Sequence, residues 1–238
     1  QIGRDLFDGG ATVRAKSTTY LFQETNESDD DYALRLNRSV LFNYVEKVIS
    51  AREAVLFRKE PTRKLPKQLD PIAANVDRLN TPANAFFVDV VRNAMIDGVC
   101  WVYADYPKVP EGGYLSARAE QAAGVRPFLQ AIPANCVIDW EIGDDLRLDW
   151  VVIKQYRYES RESWGTGSVC VPQWKVLTRT GYAIYEESGS DLVDEGENTL
   201  GEVPLVPFFG VRRTPFSGWP VAQSIFQHVI AIYNKWSD

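Results

Sequence analysis

The sequence contains few of the residues on which most catalytic and metal sites depend. It has one histidine, His228, and three cysteines, Cys100, Cys136 and Cys170, with no Cys-x-x-Cys pair among them. An odd number of widely spaced cysteines argues against a zinc site, a thioredoxin motif or a disulfide scaffold, and favours a reducing compartment. The sequence also lacks Gly-x-Ser-x-Gly, His-Glu-x-x-His, Ser-x-x-Lys and phosphate-loop patterns. We therefore expect no metal, no cofactor and no enzymatic activity.

Long apolar runs are missing as well. No stretch of about 18 apolar residues is present, and no secretory signal opens the chain, so we expect no membrane partner. The 238 residues, 45% hydrophobic and 24% charged, have the composition of a globular protein. This length suits one large domain or two small ones, which bury roughly 70–75% of the unfolded surface. Because the sequence starts at Gln1 and stops at Asp238 within a helical pattern, we expect it to be part of a longer protein.

An acidic segment carries more than the whole net charge of −6, which results from 26 basic and 32 acidic residues. Residues 186–202 hold seven acidic residues and no basic ones. The pattern indicates a solvated hairpin loop, and the alternative is an acidic surface that docks a basic partner. The acidic residues are Glu186, Glu187, Asp191, Asp194, Glu195, Glu197 and Glu202.

A basic segment of ten residues, 58–67, contains two prolines. It is typical of a surface turn, and the alternative is a contact with nucleic acid. A net acidic chain without a broad basic face is a poor candidate for tight DNA binding, because phosphate neutralisation supplies most of that affinity. The basic residues are Arg58, Lys59, Arg63, Lys64 and Lys67.

Helix signals divide the first hundred residues. Residues 1–26 show little periodicity and are interpreted as an irregular arm. Ser28, followed three residues later by Asp31, predicts the start of a long helix over residues 29–57. Asp70 with Pro71, and again Thr81 with Pro82, predict helix starts. The helix after Pro82 should end at Gly98, because glycine is a common helix terminator.

The second half of the sequence changes from helical to strand patterns. Apolar or alternating segments predict strands at 99–103, 127–132, 137–140, 148–158, 171–178, 182–187 and 203–209. The last segment returns to a helix with one apolar face: Val221, Ile225, Val229, Ile232, Tyr233 and Trp236. This order predicts an α+β fold, with N-terminal helices, a mainly antiparallel β region and a C-terminal helix. We expect an arm at 1–26, an α+β domain at 27–217 and a final helix at 218–238.

One pair of carboxylates remains as a candidate for acid-base chemistry. Asp139 and Glu141 alternate along a strand and so share one of its faces. No base, nucleophile or metal ligand accompanies them in the sequence. The aromatic residues are spread over the chain and do not outline one stacking platform.

Several segments, taken in order, resemble portal proteins of tailed double-stranded DNA bacteriophages, in particular a portal-like family known mainly as a domain of unknown function. The resemblance covers most of the chain from about Glu27 and rests on the ordered set rather than on any single motif. Its segments are ESDDDYALRLNRSVLFNYVEKVI running into VLFRKEP, then NAMIDGVCWVYADYP, RPFLQAIPANCVIDW, LGEVPLVPFFG and the helix end IAIYNKWSD.

The resemblance implies a structural subunit of a ring, usually a dodecamer, at one vertex of the capsid in the virion. Such a ring assembles in the host cytoplasm, contacts the major capsid protein, and forms the conduit for genome packaging and ejection. Double-stranded DNA passes through it non-specifically, the terminase docks on one end, and a head-tail connector or adaptor protein replaces the terminase later.

The resemblance also implies that this chain is the N-terminal wing with a helix leading toward the stem. The stem hairpin, clip and crown are outside the sequence. The resemblance and the apolar helix face together predict contacts with the stem or a neighbouring subunit at Ile232, Tyr233 and Trp236. The alternatives are a small carboxylate-dependent hydrolase that uses Asp139 and Glu141, and a monomeric protein-binding module that uses the acidic segment.

Overall fold

The computed structural model describes residues 1–107, 116, 118–119, 125–160, 168–186 and 191–237. The chain forms two compact units. The first unit comprises 1–100 and 207–238, and the second comprises 101–206. Helices dominate the first unit and strands the second, which confirms the predicted α+β class.

The first 20 residues form three short helices in place of the expected irregular arm. They are α1 (Ile2–Asp8), α2 (Gly10–Ala15) and α3 (Ser17–Tyr20). Helices this short show almost no periodicity, so their stability comes from burying apolar side chains rather than from intrinsic helix propensity. The side chains that they and the following residue bury are Leu6, Val13, Tyr20 and Leu21.

Two helices replace the single long helix predicted over residues 29–57: α4 (Asp29–Arg38) and α5 (Tyr44–Leu56). The predicted cap of the first is confirmed, because the Ser28 hydroxyl accepts a hydrogen bond from the backbone N–H of Asp31 at 3.2 Å. The chain leaves the helix at Ser39, and the Asn43 side chain then caps α5. Serine and asparagine readily satisfy backbone groups outside a helix, which explains the break.

The next two helices are α6 (Asp70–Ala74) and α7 (Ala83–Asp97). The predicted start of α7 after Pro82 and its end at Gly98 are confirmed. Gly98 has a φ of +93°, and a Cβ there would lie 2.5 Å from the carbonyl oxygen of Gly218. Glycine is therefore required at this helix end for both its conformation and its lack of a side chain.

The last helix, α8 (Phe226–Lys235), begins later than the sequence pattern suggested, because a 3₁₀ turn over Gln223–Ile225 precedes it. Its buried face completes the core of the first unit together with α1, α5 and α7. The central side chains of that core are Leu6, Val13, Tyr20, Leu21, Val45, Ile49, Met95, Ile96, Phe226, Val229 and Tyr233.

The first strands after the helices belong to a small sheet. The strands β1 (Val99–Asp105) and β2 (Phe128–Pro133) form a three-stranded sheet with a later strand. The boundary between the two units falls within β1 and within that later strand.

The second unit is built mainly on a five-stranded antiparallel meander, in which each strand pairs with the next along the chain. Its strands are β3 (Val137–Ile142), β4 (Leu148–Ser160), β5 (Ser168–Thr178), β6 (Gly181–Glu186) and β7 (Asp191–Glu197). The sequence had indicated a loop where β7 lies. The remaining strands are β8 (Leu205–Phe209), which completes the order β2-β1-β8, and the ribbon strands β9 (Val211–Arg212) and β10 (Gly218–Trp219).

The two faces of the meander differ in character. Val151, Ile153 and Leu177 are buried on one face. The register places aromatic side chains on the opposite face, and there Lys154 Nζ lies 5.5 Å from the centre of the Tyr156 ring. This open face therefore collects aromatic residues that are far apart in the sequence: Trp150, Tyr156, Trp174 and Tyr185.

Candidate functional site

The carboxylate pair of β3 lies on the open face of the meander. Asp139 is opposite Val152 and Glu141 is opposite Trp150. Glu141 Oε2 accepts a hydrogen bond from the Trp150 indole N–H at 2.5 Å, and Asp139 Oδ1 accepts one from the backbone N–H of Trp140 at 2.9 Å. Within the described ranges, neither carboxylate contacts a histidine, a hydroxyl group or another carboxylate. This geometry gives no support to an acid-base role.

The histidine and the buried cysteine lie in other parts of the chain. His228 is exposed on α8, with Nδ1 3.2 Å from the carbonyl oxygen of Ser224. Burial raises the pKa of the Cys100 thiol to about 12, and the negative charge of Asp97 adds to this effect. A thiol with so high a pKa is a poor nucleophile at neutral pH. Among the residues described, no three His, Cys, Asp or Glu side chains cluster closely enough to hold a metal ion.

An exposed aromatic cluster lies where the break between α4 and α5 meets the end of α8. We call Phe42, Tyr44 and Trp236 the aromatic cluster; their exposed fractions are 40%, 47% and 68%. The Trp236 ring packs edge-on against Phe42 with centroids 5.4 Å apart, and Phe42 stacks on Tyr44 at 6.4 Å. Contiguous exposed apolar surface of this kind marks interaction sites on proteins.

The three contact residues predicted on the last helix have different environments. Trp236 is the exposed one, whereas Ile232 is partly buried. Tyr233 is only 1% exposed and shares a hydrogen bond of 2.7 Å with the Ser39 hydroxyl inside the first unit. Tyr233 therefore belongs to the core of its own unit and does not contribute to an external contact.

An apolar groove lies between α5 and α7 in the first unit, with a volume of about 440 Å³. Its floor includes Val91 and Met95, and its rim includes the exposed side chains of Val55 and Leu56. The sequence assigned Val55 and Leu56 to the inner face of a long helix. In the structure, both side chains are exposed at the C-terminal end of α5.

The basic segment, residues 58–67, is exposed along its length. Arg63 is held in place, since it donates a hydrogen bond to Asn84 Oδ1 and its guanidinium lies 5.5 Å from the centre of the Phe87 ring. The other cations are different: no carboxylate among the described residues lies within ion-pair distance of them. These uncompensated cations are Arg58, Lys59, Lys64 and Lys67.

The acidic residues predicted to form one docking loop are separated by the sheet. Glu186 pairs with Arg157 at 3.1 Å and accepts a hydrogen bond from Gln173 at 2.7 Å, so it is already neutralised within β4–β6. Glu202 lies 3.4 Å from Arg147. Glu187 is outside the described residues, and Asp194 is half-buried on β7.

Three of the acidic residues remain exposed on β7: Asp191, Glu195 and Glu197. Glu195 is opposite Ala183 and Glu197 is opposite Gly181 on β6. Because these neighbours are small, an open groove of about 460 Å³ forms beside the two carboxylates. We call it the acidic groove; it is lined by Val176, Thr178, Gly181, Tyr182, Ala183, Tyr185, Glu195, Gly196 and Glu197.

Comparison of the sequence with models of known protein families gives no match, and comparison with curated proteins gives none either. Within the described ranges, no helix has the length and apolar character needed to cross a bilayer.

Proposed function

We propose that the chain is a structural subunit of a portal ring of a tailed double-stranded DNA bacteriophage, located at the capsid vertex and serving genome packaging and ejection. Its partners in this role are further copies of itself, the major capsid protein, the terminase, a connector or adaptor protein and the passing DNA. The proposal starts from the ordered segments that resemble portal proteins.

The observation that carries the proposal is the aromatic cluster. Phe42, Tyr44 and Trp236 pack on one another and leave large parts of three rings in water. A buried aromatic side chain removes roughly 150–250 Å² of surface from water, so covering this cluster favours association. Aromatic residues in such positions dominate the energetics of protein interfaces. A neighbouring subunit of a ring is the partner that we propose for it.

The placement of the resembling segments also supports the proposal. The first covers α4, the break and α5, and the second spans the join from α7 to β1. The third covers β2 and the start of β3, and the fourth leads into β8. The segments therefore lie at the joins between elements.

The charge of the chain suits a conduit for DNA. The net charge of −6 and the exposed carboxylates along β7 disfavour tight binding of phosphate groups. A channel through which DNA must slide gains from weak, non-specific contacts of this kind. The basic segment has too few cations, in too irregular a setting, to read base edges.

The mass of the assembled particle tests the proposal. The full-length protein should elute in size-exclusion chromatography with light scattering as one large particle, with a mass close to twelve subunits. A monomer at micromolar concentration would contradict a portal role. A monomer that binds a basic protein would instead favour the alternative of a binding module, and carboxylate-dependent hydrolysis lost in Glu141→Gln would favour the hydrolase.

A further inference from the structure

The chain carries two exposed surfaces of opposite charge, and each lacks compensation from the described residues. The basic segment lies in the first unit and the acidic groove lies in the second. Arg58, Lys59, Lys64 and Lys67 provide the uncompensated cations, and Glu195 and Glu197 provide the carboxylates beside the groove. Complementary charge on two separate patches of one chain favours head-to-tail association of copies.

We propose that the basic segment of one subunit docks in the acidic groove of the next subunit, an inference that rests on the proposed ring. The occupant of the groove is thus a second copy of this chain. A contact between two different patches is heterologous, and such contacts form a ring when the rotation from one subunit to the next closes. Every groove is then filled.

The shapes of the two surfaces fit this contact. Glu195 and Glu197 are two residues apart on a strand, which separates their side chains by about 7 Å. Pro66 has φ −58° and ψ 143°, values typical of a polyproline II helix. Lys64 and Lys67 are three residues apart, and three residues span about 9 Å where the chain keeps that conformation. Lysine stems are long and flexible enough to bring both ammonium groups to the two carboxylates.

The apolar part of the groove adds to the fit. Val176 of β5 lines it, together with Ala183 and Tyr185 of β6. Lysine side chains bury their methylene stems along such surfaces while their charged ends contact carboxylates. In the basic segment, Arg63 is fixed against Asn84 and Phe87, so the neighbouring lysines are presented from an anchored backbone.

Charge reversal on each surface tests the proposal. The basic variant is Lys64→Glu with Lys67→Glu, and the acidic variant is Glu195→Lys with Glu197→Lys. Arg63 stays unchanged so that the segment keeps its anchor. The matched control is Arg14→Glu with Lys47→Glu, two exposed cations elsewhere in the first unit whose reversal changes the net charge as the basic variant does.

In full-length protein, we expect either single-surface variant to reduce the fraction of subunits in rings by about tenfold or more, because like charges then face each other across every interface. The control should assemble as the unchanged protein does. Combining both reversals in one chain should restore assembly. Circular dichroism and thermal unfolding should show that all variants remain folded, since the changed side chains are exposed.

Mixing the two single-surface variants separates contacts between chains from contacts within a chain. If the contact joins two copies, the mixture forms rings with alternating subunits, although neither variant assembles alone. Restoration in the combined variant but not in the mixture would place the contact inside one chain and overturn the proposal. Normal rings from either single-surface variant would also overturn it.

The outcome for the unchanged protein distinguishes this inference from the proposed function. If the unchanged protein forms rings and the charge-reversed variants form them equally well, the portal proposal stands and the docking contact is wrong. If the unchanged protein is monomeric, both are wrong.

Discussion

Trp236 and Tyr233 are three residues apart at the end of α8, yet one lies in water and the other in the core. Trp236→Ala removes the most exposed ring of the aromatic cluster and should change the free energy of unfolding by no more than about 0.5 kcal/mol. If a neighbouring subunit covers this ring, the same change should weaken each contact by about 2 kcal/mol or more. Ring yield and thermal unfolding of the full-length variant measure the two effects.

Trp219→Ala is the matched control for that experiment. Trp219 is exposed on β10, where Arg213 lies over its ring at 3.7 Å, and it is outside the aromatic cluster. This variant should form rings with normal yield. If Trp236→Ala forms rings with normal yield but lowers the stability of the subunit, then Trp236 packs only within its own unit.

Asp5 is a buried carboxylate that stabilises the fold in its ionised form. It is 3% exposed and accepts hydrogen bonds from Lys16 Nζ at 2.6 Å and from the Tyr20 hydroxyl at 2.8 Å. Burial acts to raise the pKa of Asp5, but the hydrogen bonds from Lys16, Tyr20 and Gln1 outweigh burial and hold that pKa below 3.8. The ionised carboxylate thus stabilises the folded state. This contribution is fully present at pH values above the pKa that Asp5 has in the unfolded chain.

We expect Asp5→Asn to lower the free energy of unfolding by about 1–3 kcal/mol at pH 7, because Lys16 loses its charged acceptor. The difference in unfolding free energy between the variant and the unchanged protein should shrink at low pH. It is lost as the pH falls through the pKa of Asp5 in the folded protein, because Asp5 then becomes protonated. Chemical denaturation at pH 7 and near pH 3 measures it, with Asp8→Asn, an exposed carboxylate on the same helix, as control. An equal difference at both pH values would show that the charge of Asp5 contributes nothing.

At the scale of elements, the two capping residues of α4 and α5 differ in what they connect. Asn43 Oδ1 accepts a hydrogen bond from the Glu46 backbone N–H at 2.9 Å, and its Nδ2 donates to the carbonyl oxygen of Phe7 at 3.0 Å. Ser28 caps α4 in an exposed position, where its hydroxyl also contacts Asp31. Asn43 therefore links α5 to α1, whereas Ser28 serves its own helix.

We expect Asn43→Ala to cost about 2 kcal/mol of unfolding free energy, since it removes a cap and a tertiary hydrogen bond. Ser28→Ala should cost about 1 kcal/mol or less. Asn43→Asp should keep the cap and lose only the hydrogen bond to Phe7. Its loss of unfolding free energy should therefore lie between those of Asn43→Ala and Ser28→Ala. Urea denaturation of the three variants measures this order, and equal losses for Asn43→Ala and Ser28→Ala would contradict it.

The elements that the sequence predicted are those with local signals. Pro82 and Gly98 bound α7 through their own backbone preferences. Apolar or alternating segments at 148–158, 171–178 and 182–187 predicted the strands β4, β5 and β6. In each case the residues that specify the element lie inside it or beside it.

The elements that the sequence missed depend on distant residues. The strand β7 contains only Leu192 and Val193 as apolar residues and exists because β6 offers it a paired edge. Helices α1 to α3 are too short for a periodic signal and depend on burial against α5 and α8. The aromatic cluster was not foreseen because Phe42 lies in the unpredicted break between helices. Composition alone indicated the basic segment, but only the register of the sheet separates Glu186 from the exposed carboxylates of β7.

At the scale of the whole molecule, the chain combines a helical unit with an antiparallel meander, and each unit has an exposed surface with a distinct chemistry. The first unit presents the aromatic cluster and the basic segment, and the second presents the acidic groove. A subunit with several separate contact surfaces is suited to an assembly in which it meets more than one neighbour.

The particle formed by the full-length protein tests this account most directly. Electron-microscopy class averages of the purified protein should show closed rings with cyclic symmetry, close to twelvefold, around a channel wide enough for a DNA duplex. Fewer of these rings should form when Trp236 is changed to alanine. Particles of single subunits at micromolar concentration, or closed dimers without a channel, would contradict the account.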